Sequence, residues 1–297
     1  MKVLFDVRQF IDLHVHIGPE ILPRKYTVQT LVDAEEGNIA GMALKSHFYP
    51  TIPLIKSVAD TKRLILVGSI TLNNYVGGLN ADAIYASATL LSLPLIVWFP
   101  TINAQQFVHT SRYEIPPEWV GRDFVSRLST EVRGITILDK GLDNRKLSSS
   151  AIKVLEAIKE NNCVLATGHL AVGETMLLVE KAVEMGITRI IITHPIYQRI
   201  GMDVRMQRVL AMNEGVYIEH TYAMYLIDKI PITAIAEQIR VVGATKCIIS
   251  SDMGQLNSPS PSEGLREFCR LLLVEGITEE ELNIMGEINP RKLLGLL

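Results

Sequence analysis

Histidine side chains in this sequence stand at the ends of short apolar runs, and imidazoles grouped in this way could share one divalent metal ion. The chain contains seven histidines. Those that end or closely follow an apolar run with strand character are His14, His16, His169, His194 and His220. His14 and His16 are two positions apart, so the alternation of a β-strand places both side chains on one face. The carboxylate of Asp252, which follows the apolar run at residues 248–249, could complete a ligand set that suits zinc and similar ions.

Each of these residues taken alone also has a structural interpretation. A His-X-His pair is weak evidence for a metal, and a lone His169 or His194 is more often a capping or core histidine. Asp252 could equally be the N-cap of the next helix. Incidental histidines, however, have no reason to collect at one end of successive strands. The combined pattern therefore predicts a metal site.

The elements that must position these side chains are short β-branched runs, each followed by a segment of helical periodicity. This alternation predicts βα units around a parallel sheet. The predicted strands are residues 10–15, 40–45, 64–70, 95–99, 163–167, 189–193, 215–219 and 246–251. Eight such units fit a single α/β domain over residues 1–297, folded as a parallel eight-stranded (β/α)8 TIM barrel. In a closed parallel barrel the carboxyl ends of all strands meet at one face, where catalytic groups lie.

The connection between the fourth and fifth predicted strands is longer than the others and predicts an insertion at about residues 104–147. It contains Pro116-Pro117, a short β-like run at 134–138 and a turn-prone segment at 139–141. A long connection at this place favours a hairpin or lid on the barrel face.

Net charge and cysteine spacing indicate which partners and which cellular compartment to expect. The formal net charge of −3, from 29 basic and 32 acidic residues, provides no basic surface for nucleic acid. Cys163, Cys247 and Cys269 are far apart and lack any CxxC spacing, which predicts reduced core thiols in a cytoplasmic protein. The expected partner is a small-molecule substrate, and such barrels often form homo-oligomers.

Neither the start of the chain nor its longest uncharged stretch has the pattern of a targeting or membrane segment. The start of the chain carries Asp6 and Arg8 where a signal peptide needs an unbroken apolar stretch, so no export signal is expected. The uncharged stretch 83–102 is interrupted by Pro94 and Pro100. Its two halves predict a helix followed by a buried strand, and not a membrane span.

Several ordered motifs together resemble the amidohydrolase superfamily. The motifs are Asp12-Leu-His14-Val-His16, Thr167-Gly-His169, Ile192-Thr-His194-Pro, Ser250-Ser-Asp252 and the terminal Asn289-Pro-Arg-Lys-Leu-Leu-Gly295. The resemblance implies a distorted barrel with one or two divalent metals and water attacking an ester, an amide or a related electrophile. It also implies that His14, His16, His169 and Asp252 are metal ligands. His194 matches the strand-six histidine, which is either a ligand of a second metal or an acid/base.

Two features depart from the family pattern. Members with two metals usually carry a bridging lysine or glutamate at the end of strand four, where this sequence reads Trp98-Phe-Pro-Thr101. A single metal is therefore favoured, with zinc first and manganese, iron or nickel as alternatives. Lys45 and His47 lie instead on strand two. A histidine at this place, together with the opening His-X-His, resembles the pattern of the polymerase-and-histidinol-phosphatase phosphoesterase family.

Each candidate side chain has an expected role at the barrel face. Asp252 would orient and deprotonate the nucleophilic water, and His194 would stabilise charge on the electrophile or protonate the leaving group. Lys45 could bind a substrate carboxylate or phosphate, or pair with Glu219, and the sequence leaves both open. The residues expected to contact substrate, or to support the ligands from close by, are Lys45, His47, Asn73, Glu219 and His220.

Three functions remain open at this point. The first is a metal-dependent hydrolase acting on a small ester, lactone or amide. The second is a phosphoesterase or a non-oxidative decarboxylase on the same barrel. The third is a non-catalytic metal-binding barrel, which the presence of an acid/base pair beside the ligands disfavours.

Overall fold

Parallel strands and helices alternate along the chain in the computed structural model, which describes residues 5–58, 64–90, 93–111, 119, 133–139 and 146–297. The strands are β1 Ile11–His16, β2 Gly41–Lys45, β3 Ile65–Val67, β4 Ser69–Thr71, β5 Ile96–Trp98, β6 Val164–Ala166, β7 Ile190–Ile192, β8 Val216–Thr221 and β9 Cys247–Ser250. The helices are Val28–Glu35, Ile52–Ser57, Ala81–Ala88, Gln105–Thr110, Ser149–Glu160, Val172–Glu184, Val204–Ala211, Tyr222–Leu226, Ile232–Val242, Pro261–Val274, Glu279–Asn283 and Asn289–Leu294.

The strands follow one another around the barrel in chain order. Parallel pairing joins β1 to β2 and β2 to β3, and a second run of parallel pairs joins β4 through β9. Gly68 alone separates β3 from β4, so the predicted third strand is present in two short pieces. The residues directly after β9 join it to β1 through two backbone hydrogen bonds, Asp252 N to His14 O at 2.9 Å and His16 N to Met253 O at 2.8 Å. The predicted (β/α)8 barrel is confirmed.

Apolar side chains fill the interior of the barrel below its carboxyl-end face. The buried cluster comprises Ile11, Leu13, Ala43, Val67, Ile96, Trp98, Val164, Ala166, Ile191 and Ile248, with Leu293 and Leu294 of the last helix packed among them. These residues come from nearly every strand, and tight filling of this kind fixes the strands relative to one another. The polar residues that follow them along the strands therefore lie on top of a tightly packed apolar layer, which fixes their positions.

A β-bulge in β1 turns His14 into the barrel. The register of β1 against β2 shifts between Asp12 and Val15, and Leu13 belongs to the interior cluster whereas Val15 packs in the outer one. One carboxylate oxygen of Asp12 accepts the backbone N–H groups of His14 and Ser251, both at 3.1 Å. Burial raises the pKa of Asp12 to about 7. Bulges commonly re-aim side chains beside active sites, and this one lets Leu13 and His14 both point inward.

The predicted insertion is only partly described. Its described residues include the helix Gln105–Thr110, a bridge between Ala104 and Ile135, and an antiparallel bridge between Leu138 and Leu147. The hairpin or lid predicted there depends on residues 112–118, 120–132 and 140–145, which lie outside the described part of the chain.

Cys163, Cys247 and Cys269 are buried and form no disulfide. The segment 83–102 contains most of the helix Ala81–Ala88 and then β5, as its composition predicted. Across the described ranges, the structure contains no helix of the length and apolar character that crossing a bilayer requires.

Replacing Gly254 with alanine is expected to destabilise the barrel where its first and last strands meet. Gly254 has φ +132°, and a β-carbon there would lie 2.1 Å from the carbonyl oxygen of His16. Backbone strain and overpacking together should cost about 3 kcal/mol of unfolding free energy, measured by urea denaturation. The control is Gly173→Ala in the helix Val172–Glu184, where a β-carbon meets nothing within 4 Å. That control should be neutral or slightly stabilising, and equal losses in both variants would contradict the strain at Gly254.

Candidate metal centre and active site

Three side chains from distant parts of the chain bring possible ligand atoms together at the carboxyl-end face. His14, His194 and Asp252 each offer one ligand atom, and these atoms lie within 4.8 Å of one another. Oδ1 of Asp252 lies 3.2 Å from Nε2 of His14 and 3.0 Å from Nε2 of His16. Oδ2 of Asp252 lies 4.0 Å from Nε2 of His194. All four residues are buried. We call His14, His16, His194 and Asp252 the cage.

The loops after β7 and β9 position two cage residues through unusual backbone conformations. His194 has φ +21° and Asp252 has φ +56°, in the left-handed region that residues other than glycine seldom adopt. Such conformations cost free energy and persist only where the surrounding structure imposes them, often at functional sites. Here they turn the side chains of His194 and Asp252 back over the mouth of the barrel.

Glu219 of β8 orients His14. Both carboxylate oxygens of Glu219 lie 3.2 Å from Nδ1 of His14, and the Glu219 side chain is fully buried. The carboxylate accepts a hydrogen bond from Nδ1–H of His14, which leaves the lone pair of Nε2 directed into the cage. Ligating histidines typically have a partner of this kind. Burial raises the pKa of Glu219, while His194 and Lys45 oppose that rise.

Arg24 and Glu20, which no sequence pattern indicated, orient His16. A guanidinium nitrogen of Arg24 lies 3.1 Å from Nδ1 of His16. Since guanidinium can only donate, Nδ1 of His16 is the acceptor, and Nε2 carries the proton towards Asp252. Nε of Arg24 also donates to Glu20 at 2.5 Å. Glu20 in turn accepts hydrogen bonds from the Ser46 hydroxyl at 2.5 Å and from the backbone N–H of His47 at 3.1 Å.

Lys45, at the end of β2, places its ammonium group inside the cage. Nζ lies 2.9 Å from Nε2 of His14 and 3.9 Å from the centre of the Trp98 ring. The side chain is 1% exposed. Burial lowers the pKa of Lys45 to about 8, although Asp252 and Glu219 act to raise it. Lys45 therefore donates a hydrogen bond to His14, while Glu219, one of its two predicted partners, acts on it through charge.

The cage histidines are held in their neutral form. Burial, reinforced by Lys45 and Arg24, lowers the pKa of His14 and His16 well below the usual value. Burial also lowers the pKa of His194 to about 3. For Asp252 burial raises the pKa well above the usual value, against the effect of Lys45. Neutral imidazoles are the form that binds metals.

His169 and His47 lie beside the cage. The ring of His169 is 5.2 Å from that of His194 and 5.6 Å from that of Tyr197, and its Nδ1 has no hydrogen-bond partner among the described residues. The ring of His47 lies 4.8 Å from that of His16, and its Nδ1 is 2.9 Å from Thr101 Oγ1. Both histidines line the pocket.

The structure does not bring Asn73 and His220 into the pocket. The amide of Asn73 donates to His47 O and Thr101 Oγ1 and accepts the backbone N–H groups of Thr101 and Asn103. Asn73 therefore joins two loops behind the pocket. His220 neighbours the inward-facing Glu219 on β8, so strand alternation turns it to the outer face. It is fully buried there, and within the described part of the chain neither ring nitrogen has a partner.

The wall of the pocket is partly charged and partly apolar. Beyond the cage and the residues already placed, it is lined by Trp119, Tyr197, Ala223, Met224, Ile227, Asp228 and Gln255. A pocket with a few converging polar groups on an apolar wall suits a small organic molecule.

The donor set of the cage fits a divalent metal ion. It offers imidazole nitrogens and a carboxylate, the combination that zinc and its neighbours prefer. Nδ1 of His194 in the cage and Nδ1 of His169 beside it are buried and have no partner among the described residues, and Glu219 already orients the ring of His14. Nε2 of His16 carries the ring proton while Nδ1 accepts a hydrogen bond from Arg24. For Nε2 to bind a metal ion, the proton must move to Nδ1 and the hydrogen bond from Arg24 must break.

Comparisons with known proteins bear on the fold. A family model described as a family of unknown function (DUF6282) matches residues 9–219. No curated protein matches the sequence. Among solved structures, a candidate 2-pyrone-4,6-dicarboxylic acid hydrolase from Pseudomonas putida has a TM-score of 0.58 at 13% identity, covering 97% of each chain.

Two further solved structures have the same TM-score of 0.58. One is a candidate hydrolase of the same name from Acinetobacter baumannii with citric acid bound, at 12% identity over 97% of this chain and 99% of that one. The other is a dihydroorotase, at 16% identity over 98% of this chain and 70% of that one. The predicted resemblance to the amidohydrolase superfamily is thereby confirmed at the level of the fold.

Proposed function

The chain belongs to the DUF6282 family of unknown function, and we propose that it is a metal-dependent hydrolase that activates water for attack on a small-molecule ester, lactone or amide. The residues that would hold the metal are His14, His16, His169, His194 and Asp252. Zinc is the first candidate, because the donors are mainly imidazoles.

The observation that carries this proposal is the convergence of His14, His194 and Asp252. Their ligand atoms lie within 4.8 Å of one another although they come from β1 and from the loops after β7 and β9. A further support is the Glu219 carboxylate behind His14, which a merely structural histidine in an apolar core would not need.

The residues of the cage divide the chemistry among them. When bound, a divalent ion supplies Lewis acidity that brings the pKa of water from about 15.7 to near 7. Asp252 accepts the proton of the attacking water, because its carboxylate lies 3.2 Å and 3.0 Å from Nε2 of His14 and His16, which would hold the ion. His194 either joins the ligands or relays to the leaving group the proton that Asp252 takes from water, since its side chain lies beside Asp252.

A substrate panel tests this function. The protein is depleted of metal with a chelator, divided, and reconstituted with zinc, manganese or buffer alone. Each sample is assayed with phenyl acetate, γ-butyrolactone, 2-pyrone-4,6-dicarboxylic acid, dihydroorotate and p-nitrophenyl phosphate. Metal-dependent turnover of an ester, lactone or amide is expected. Turnover of the phosphate alone would favour the phosphoesterase alternative, and metal-independent turnover would contradict the proposal.

Glu219→Gln is expected to weaken zinc binding by about 10-fold to 100-fold. The amide keeps the shape of the side chain but loses the charge that holds the Nδ1 proton of His14. Titration with zinc in a competing chelator measures the change. Glu214→Gln, on the exposed turn before β8, is the control and should bind zinc as the wild type does. Unchanged affinity in Glu219→Gln would mean that His14 does not ligate through Nε2.

We take residues 1–297 to form one domain. The cysteine pattern favours the cytoplasm, and size-exclusion chromatography with light scattering tests the expected homo-oligomer.

A further inference from the structure

Lys45 is a buried lysine whose ammonium group lies among the proposed metal ligands, and the packing of the barrel core does not require a cation there. Its ammonium group lies 2.9 Å from Nε2 of His14 and 3.9 Å from the centre of the Trp98 ring. A buried ammonium is costly unless it has strong partners. Here the partners are the His14 lone pair, the face of Trp98, and the nearby carboxylates Asp252 and Glu219, which act on it through their charge.

The hydrogen bond from Lys45 uses the same lone pair that a metal ion would need. The Glu219 carboxylate accepts a hydrogen bond from Nδ1–H of His14, so Nε2 carries the only in-plane lone pair of the neutral ring. That lone pair can be shared with the Lys45 ammonium or with a metal ion, but not with both.

Charge adds to this conflict. A divalent cation held by His14 and Asp252 would stand close to the ammonium group, and like charges repel strongly in a buried site. The long, flexible side chain of lysine allows the ammonium to leave the cage, whereas the backbone of β2 stays in place.

From these contacts we propose that Lys45 is a resident cation of the cage, which is displaced when a metal ion binds and thereby lowers the affinity of the site for metal. The proposal rests on the metal site of the proposed function. It predicts that removing the lysine strengthens metal binding, which is the opposite of what a ligand or a stabilising second partner would do.

The direct test compares zinc affinities of the wild type, Lys45→Met and Lys45→Gln, measured by titration against a competing chelator at one fixed pH. Loss of the charge-assisted hydrogen bond should increase zinc affinity by about tenfold or more. Lys45→Arg keeps a positive charge in the cage and should gain nothing. Lys56→Met removes one exposed lysine from the helix after β2, and it controls for net charge with wild-type affinity expected.

A second measurement keeps Lys45 intact and follows its departure from Trp98. The chain has two tryptophans, so Trp119→Phe leaves Trp98 as the one fluorescent indole. Because the ammonium lies against the ring, zinc should change the emission of Trp98 in proportion to occupancy. An emission spectrum that stays constant at full occupancy would overturn the proposal, even if no variant at position 45 folds.

The outcomes separate this proposal from the function on which it rests. Tighter zinc binding by Lys45→Met or Lys45→Gln supports the displacement of Lys45. Equal or weaker binding by both, with zinc bound by the wild type, overturns the displacement and leaves the hydrolase proposal standing. If neither the wild type nor any variant binds zinc or another divalent ion, both proposals fail.

Discussion

Asp252→Asn is expected to lower kcat by about a thousandfold on the best substrate of the panel, because a positioned base commonly contributes about 10²–10⁴ to a rate. The asparagine oxygen can still accept a hydrogen bond from His16, so the fold and the position of the side chain should persist. The amide has no basic lone pair at neutral pH, however, and it cannot take a proton from water. Steady-state kinetics with zinc in excess measures the loss.

The control for this prediction is Asp203→Asn. Asp203 caps the helix Val204–Ala211 on the surface and accepts the backbone N–H of Arg205. Asparagine is an equally good N-cap, so the same substitution there should leave kcat unchanged. A variant at position 252 that retains more than about a tenth of the wild-type kcat would remove Asp252 from the role of base.

His14→Ala/His16→Ala is expected to abolish stabilisation of the protein by zinc. A ligand that binds only the folded state adds about 2.7 kcal/mol at a concentration 100 times its Kd. The wild type should therefore show a clear rise in Tm on addition of zinc, and the double variant none, because both nitrogen donors of β1 are gone. Differential scanning calorimetry measures the shift.

The matched control is His109→Ala, which removes an exposed histidine on the helix Gln105–Thr110. It should retain the full zinc-dependent rise in Tm. Equal shifts in the double variant and the wild type would place zinc elsewhere on the protein.

The barrel could be predicted from sequence because its signal is local and repeated. Each buried parallel strand is a short β-branched run, and each helix between strands has an apolar face, so the alternation is visible without knowing any contact. The interruption of the third strand at Gly68 could not be predicted, because the hydrophobic run continues on both sides of it.

Most of the cage followed from the strand order, since residues that end parallel strands must meet at one face. The contribution of Arg24 and Glu20 did not follow, because both lie in the loop after β1, where no periodicity constrains side-chain direction. Only their contacts with His16 and Ser46 identify them.

Side-chain direction also explains the residues that were placed incorrectly. His220 ends a strand run like the others, but it neighbours the inward-facing Glu219 and so faces outward. Asn73 lies in a loop near the site, yet its amide is fully used in holding the backbone of neighbouring loops. For Lys45, the sequence suggested Glu219 as a partner, and the competing attraction of His14 and Trp98 could not be weighed without their distances.

Elemental analysis of the purified protein tests the metal centre most directly. Wild type and His14→Ala/His16→Ala are expressed in the same medium and measured by mass spectrometry for zinc, manganese, iron and nickel. The cage geometry predicts at least about one divalent ion per wild-type chain and a marked loss in the double variant. Equal metal content in the two proteins, or no metal in either after growth with added zinc, would contradict a metal bound by these residues.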